Sequence, residues 1–137
     1  MTFAYDPDMT MKLVLALVLG AAIGLEREFN KSAAGIKTYS IVCVGSALFT
    51  MAALKVNISV ASGVITGIGF LGAATVFKTT DRVVGLTTAA LIWATAAIGF
   101  AIGIGEHYTA ILSTLIVLFI LIPMEHFEKK ILKWHKD

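Results

Sequence analysis

The sequence predicts an all-α polytopic membrane protein, a transmembrane bundle of about five helices. Three observations carry this reading. Of the 137 residues, 58% are apolar and only 15% charged, against about half and about a quarter in an ordinary soluble domain. The apolar residues fall in uncharged runs of about 15 to 20, the length that crosses a hydrocarbon core as helix. Five such runs are more than a soluble chain of this size can hide in one core.

The first run, Met9–Leu25, follows a leader with Asp6 and Asp8 and one nearby cation, Lys12. A signal peptide needs a positive leader, so this run reads as a retained helix. The others are Gly35–Leu54, Ser59–Phe77, Gly85–Ile104 and Tyr108–Met124. In hydrocarbon every backbone amide needs an internal partner, so each run is expected to be helical. The third is rich in Ser, Thr and Gly, and a re-entrant segment is its alternative to a full span. The tail 125–137 mixes Phe127, Ile131, Leu132 and Trp134 with four lysines, as an interfacial helix on an anionic leaflet would. Residues 1–137 read as one domain.

Charge placement sets the orientation. Arg27, Lys31, Lys37, Lys78, Arg82, Lys129, Lys130, Lys133 and Lys136 fall on one side of a five-span thread, and only Lys12 and Lys55 on the other. The positive-inside rule then puts the N-terminus outside and the C-terminus in the cytoplasm. The net charge of +2 is too small to suggest a nucleic acid partner. The lipid bilayer is the expected surrounding.

The chain contains an echo of itself. Leu19-Gly20-Ala21-Ala22 recurs as Leu71-Gly72-Ala73-Ala74, and Gly35-Ile36-Lys37-Thr38 returns as Gly85-Leu86-Thr87-Thr88. The offsets are 52 and 50 residues. Each unit reads helix, cytoplasmic loop, helix, so the repeat is parallel; coincidence among small residues is the alternative. Small residues let membrane helices approach closely. Gly20 and Gly24 on the first helix, Gly67, Gly69 and Gly72 on the third, and Gly85 and Trp93 around the fourth are the expected packing positions. Helices one, three and four are expected to form the tight centre, with the bulky fifth helix peripheral. A small-residue stripe also offers a surface for a homo-oligomer.

Chemistry-bearing groups gather at the cytoplasmic rim. Glu26, Arg27 and Glu28 end the first helix, Lys37 and Thr38 begin the second, Asp81 and Arg82 lie in the third loop, and Thr87 and Thr88 begin the fourth helix. Side by side, the loops would let Glu26 pair with Arg82 or Lys37, and Asp81 with Arg27 or Lys31. A salt-bridge and capping network is the plain reading. Glu26, Glu28 and Asp81 are hard oxygen ligands suited to Mg²⁺, though the surrounding cations oppose such a site. No span carries a charge near its midplane, which weighs against ion-coupled carriers and pumps. No phosphate-binding glycine loop is present. His107, His126 and His135 are dispersed, without metal-ligand spacing. No cofactor is expected, and an enzyme is the least supported class.

Several blocks together resemble the MgtC/SapB family: Gly24-Leu25-Glu26-Arg27-Glu28, Ala34-Gly35-Ile36-Lys37-Thr38, Ile68-Gly69-Phe70-Leu71-Gly72-Ala73, and Gly85-Leu86-Thr87-Thr88-Ala89-Ala90 with Trp93. The resemblance implies a bacterial inner-membrane protein with a regulatory role in magnesium homeostasis and in acid or low-magnesium stress. It also implies an intramembrane partner, for example the membrane sector of the ATP synthase. The chain resembles the short form, with the membrane domain alone. Thr87 and Ala94 stand where virulence-type members carry Asn and Cys, so the resemblance to that specialised role stops there. The alternative function is a small channel or transporter for an ion or small solute.

Overall fold

The acidic leader that breaks the signal-peptide pattern starts the first helix. Asp6 accepts a hydrogen bond from the Asp8 amide at 3.0 Å, and Pro7 supplies a preset φ at the first helical position. In the computed structural model, which describes residues 6–134, helix α1 runs Pro7–Phe29, α2 Ile36–Val56, α3 Ser62–Ala73, α4 Leu86–Ile104 and α5 His107–Trp134. A 3₁₀ turn, Ile58–Ala61, leads into α3, and a hairpin of β1 (Phe77–Lys78) and β2 (Val83–Val84) joins α3 to α4. Helices α1, α2 and α4, with His107–Met124 of α5, are each long and apolar enough to cross a membrane. The chain is a multi-pass membrane protein.

The elements depart from expectation in two places. Helix α1 runs past the expected boundary at Leu25 and carries Glu26-Arg27-Glu28 in its last turn. Charge ends an apolar run without ending a helix, because Glu and Arg are good helix formers. The helix stops at Asn30. There the Lys31 amide donates to the Glu28 carbonyl at 3.1 Å and the Ser32 amide to the Arg27 carbonyl at 3.0 Å. This is a Schellman closure with Lys31 left-handed at φ 52°. The third run, expected as one helix over Ser59–Phe77, gives only twelve residues of α-helix, about 18 Å at 1.5 Å per residue. Its β-branched end, Thr75-Val76, leaves the helix for a strand, and Phe77 pairs with Val84. The loop expected over Lys78–Val84 is largely this hairpin. The Thr79 amide and hydroxyl both donate to the Arg82 carbonyl at 2.9 Å to close it.

Close backbone approach defines the centre. A Cβ on Gly20 would lie 2.7 Å from the Tyr39 carbonyl oxygen, and one on Gly24 would lie 2.5 Å from the Ile36 Cα. These contacts seat α1 antiparallel on α2. A Cβ on Gly103 would lie 2.5 Å from the Thr50 Cβ, and one on Gly99 would strike Cys43 and Ser46. Rising numbers on α4 thus meet rising numbers on α2, so these two helices run parallel. Ser46 Oγ donates to the Ala96 carbonyl across this contact at 2.6 Å. The tight centre is therefore α1, α2 and α4, and not the expected set with the third helix. The small residues of α2 itself (Cys43, Ser46 and Ala47) make the difference. Helix α3 leans on α4 through Gly72 and leaves Gly63, Gly67 and Gly69 open, with nothing within 4 Å of an added Cβ. Trp93 is half-exposed, at 52%.

The two units of the sequence echo pack alike. Gly20 meets the Tyr39 carbonyl, and Gly72, offset by 52, meets the Ala89 carbonyl, offset by 50, with a Cβ distance of 3.4 Å. Helix α5 lies along α1 and α4 and buries Ala110, Thr114 and Leu121. Val117 and Leu118 pack partly against the core, while Leu112, Leu115, Ile116, Phe119 and Ile120 are exposed, as a peripheral helix requires. In the basic tail 125–137 the backbone continues α5 as far as Trp134. Its lysine side chains and residues 135–137 lie outside the described residues.

Candidate functional site

The rim forms where α1 ends and α2 and α4 begin. Arg27 is buried, 9% exposed, because its Cβ points back into the bundle from the last turn of α1. Its guanidinium finds a carboxylate in the neighbouring residue: Nε donates to Glu26 Oε2 at 2.5 Å and Nη2 to Oε1 at 2.7 Å. A two-point Arg–carboxylate pair is among the stronger polar contacts available to a protein. Asn30 Nδ2 adds a donor to Glu26 Oε1 at 2.6 Å. Tyr39 is fully buried on the first turns of α2. Its hydroxyl has no hydrogen-bond partner among the described residues.

Glu28 plays a different part. Its Oε2 accepts from the Ile36 amide at 3.1 Å, capping α2 from eight residues upstream. An N-terminal carboxylate satisfies an orphan amide and complements the helix dipole. Gly35 sits directly beneath, and a Cβ there would strike the Glu28 carboxylate. In the second unit Gly85 holds the matching place with φ +91° against Thr75 and Val76, a conformation that suits glycine.

The two loops come to one end of the bundle. Ser32 Oγ and Thr88 Oγ1 lie 3.3 Å apart, and Thr88 is buried. At the opposite end Asp6, Asp8, Lys12, Met51, Lys55 and Gly103 line one shallow pocket. Asp8 and Lys12 pair there at 2.7 Å. Lys37 and Thr38 stand exposed on the first turn of α2, Thr87 is exposed on α4, and Asp81 and Arg82 project from the hairpin turn.

The expected ion pairs across the repeat do not form among the described residues. Glu26 takes Arg27 in place of Arg82 or Lys37, and Asp81 takes neither Arg27 nor Lys31. Adjacency decides this: with α1 helical through Phe29, Glu26 and Arg27 turn toward the same buried corner. The three weak Mg²⁺ candidates also stand apart, Glu26 on Arg27, Glu28 on the α2 amide and Asp81 on the hairpin. Among the described residues no three His, Cys, Asp or Glu side chains gather closely enough to hold a metal ion. Asn30, Ser32 and Tyr39 complete the rim unforeseen. Asn30 had a signal, a helix-ending residue type just past Glu28; Tyr39 sat unmarked in an apolar run.

Comparison with known proteins adds a second line. The sequence model described as the MgtC family matches residues 13–130. The chain is 35% identical over 134 residues to Protein SapB of Bacillus subtilis, covering 88% of this chain and 56% of that one. It is 36% identical over 112 residues to Protein MgtC of Salmonella typhimurium, covering 79% and 48%. With the "Putative magnesium transporter YhiD" of Escherichia coli it shares 36% identity over 128 residues, covering 83% and 59%. The chain thus spans about half the length of the curated relatives it matches. No solved structure matches it.

Proposed function

Since this chain belongs to the MgtC family, we propose that it is a bacterial inner-membrane regulator of magnesium homeostasis under low-magnesium or acid stress. It acts by binding a partner within the bilayer. The observation that carries the reading is the build of the bundle. Its centre is drawn tight by Gly20, Gly24, Gly99 and Gly103, while its open apolar surface faces sideways, along α3. Such a build suits lateral recognition better than conduction through the middle. The Glu26–Arg27 pair closes the last turn of α1, and with Lys37, Thr38, Asp81 and Thr88 it belongs to the polar rim that holds the binding-competent arrangement. The basic loops and tail face the cytoplasm, and the N-terminus lies outside.

The test replaces Glu26 by Gln and Arg27 by Ala. Normal folded yield with lost growth in low magnesium supports the reading. A fall in yield alone assigns the pair to stability. Reconstitution into proteoliposomes separates the transporter alternative: steady magnesium flux along a gradient would replace this proposal with that one.

A further inference from the structure

The sequence echo extends to the outside of the bundle. It relates α1 to α3 and α2 to α4. Helix α5 packs along α1 and α4, so the repeat generates an image of that seat between α3 and α2. The image seat exists. It is an apolar groove of about 540 Å³, lined among others by Ile41, Gly45, Phe49, Gly63, Gly67 and Leu71. The paired positions differ in how far they are covered. Leu91 on α4 is 7% exposed, whereas Ile41, fifty residues earlier on α2, is 71% exposed. Added Cβ atoms on Gly45, Gly63 and Gly67 would meet nothing within 4 Å.

We propose that this groove receives the outer face of α5 from a second copy of the chain. Three observations select that occupant. The groove is an image of a seat that α5 already fills, so the interface continues one the fold uses. The repeat is parallel, so the helix seated in the groove must run in the direction of α5, and a second copy inserted with the same topology presents α5 in that direction. The shapes also complement each other. The outer face of α5 carries Leu112, Ile116 and Phe119, all exposed, and the groove offers glycine notches for such bulk. Close packing at small residues is what holds helices together in lipid. No Asp, Glu, Lys or Arg lies in His107–Met124, so the contact strips no side-chain charge of water. Gly67 stands nine residues beyond the start of the 3₁₀ turn at Ile58, and Ile116 nine beyond the start of α5 at His107, which sets them at similar depth. Because the seat and its image lie on different sides of the bundle, the association is head-to-tail and closes as a ring if the rotation permits.

The inference shares the lateral-binding reading but not its magnesium role, and its test needs no growth phenotype. Two differently tagged full-length copies, one Gly67→Cys and one Ile116→Cys, each also Cys43→Ala, are co-expressed and oxidised in native membranes. The expected product is a disulfide-linked dimer carrying both tags. Adding Phe119→Ala and Leu112→Ala to the Ile116→Cys copy should lower its yield at least tenfold without changing insertion. The proposal is overturned if Gly67→Cys links only to itself, or if it links to no position among Leu112, Ile116 and Phe119 while both copies insert normally. Native mass measurement finding only monomers with bound lipid overturns it too, by showing that acyl chains fill the groove.

Discussion

Ser32 and Thr88, 56 residues apart in sequence, bring their hydroxyl oxygens to 3.3 Å. One belongs to the loop after α1 and the other to the first turn of α4, so this contact ties the two units of the repeat at a single end of the bundle. A neutral hydrogen bond of this kind contributes roughly 0.5–1.5 kcal/mol. Thr88→Val keeps the shape and removes the bond. It should lower stability by about that amount in detergent unfolding, and Ser32→Ala on top of it should add little. Full additivity of the two changes would show that the hydroxyls do not interact.

The glycines divide into two classes with opposite responses. Gly20→Ala and Gly103→Ala force Cβ atoms into Tyr39 and Thr50, and overpacking of this kind typically costs about 1–3 kcal/mol. Gly69→Ala meets open space and lies within α3, where glycine is a poor helix residue by about 0.5–1 kcal/mol. Thermal midpoints in detergent should fall for the first two and hold or rise for the third. A fall for Gly69→Ala matching that for Gly20→Ala would contradict this packing.

Lys31 closes α1 in the left-handed region at φ 52°. Glycine is the favoured residue there, and the strain on other residues is about 1–2 kcal/mol. Lys31→Gly should therefore raise stability by up to about 1 kcal/mol. The measurement is the unfolding midpoint with yield unchanged; a clear drop would mean that the lysine side chain outweighs its backbone.

Glu28 holds the Ile36 amide. Glu28→Ala removes a cap worth about 0.5–2 kcal/mol. It should speed hydrogen exchange at the first amides of α2 while leaving α4 as it was. Uniform exchange changes along both helices would point to a global effect instead.

Much of this architecture was legible in the sequence because a bilayer reads length and charge. The uncharged runs became α1, α2, α4 and α5, and the offsets of 52 and 50 became the matched contacts of Gly20 with Tyr39 and Gly72 with Ala89. The rest was hidden for physical reasons. Apolarity runs unbroken through Val76 and Phe77, so hydropathy alone does not show that α3 stops at Ala73. The apolar run stops at Leu25, but a helix can carry charge at a membrane surface, so α1 continues to Phe29. Partner choice at the rim was beyond reach, since Glu26 had several cations in range and only the rotation of the last turn of α1 selects Arg27. The centrality of α2 depended on which side of each glycine faces a neighbour, and small residues in a list do not reveal that.

The central claim is that both basic loops lie at one end of the bundle. A membrane-impermeant thiol reagent tests it on single-cysteine variants of a Cys43→Ala chain, with probes at Ala33 in the first loop, Thr80 in the hairpin turn and Asn57 beyond α2. In intact cells Asn57→Cys should label while Ala33→Cys and Thr80→Cys stay protected until the membrane is opened. Labelling of Ala33→Cys and Thr80→Cys from opposite sides would break the threading, and the shared rim and the paired seats would go with it.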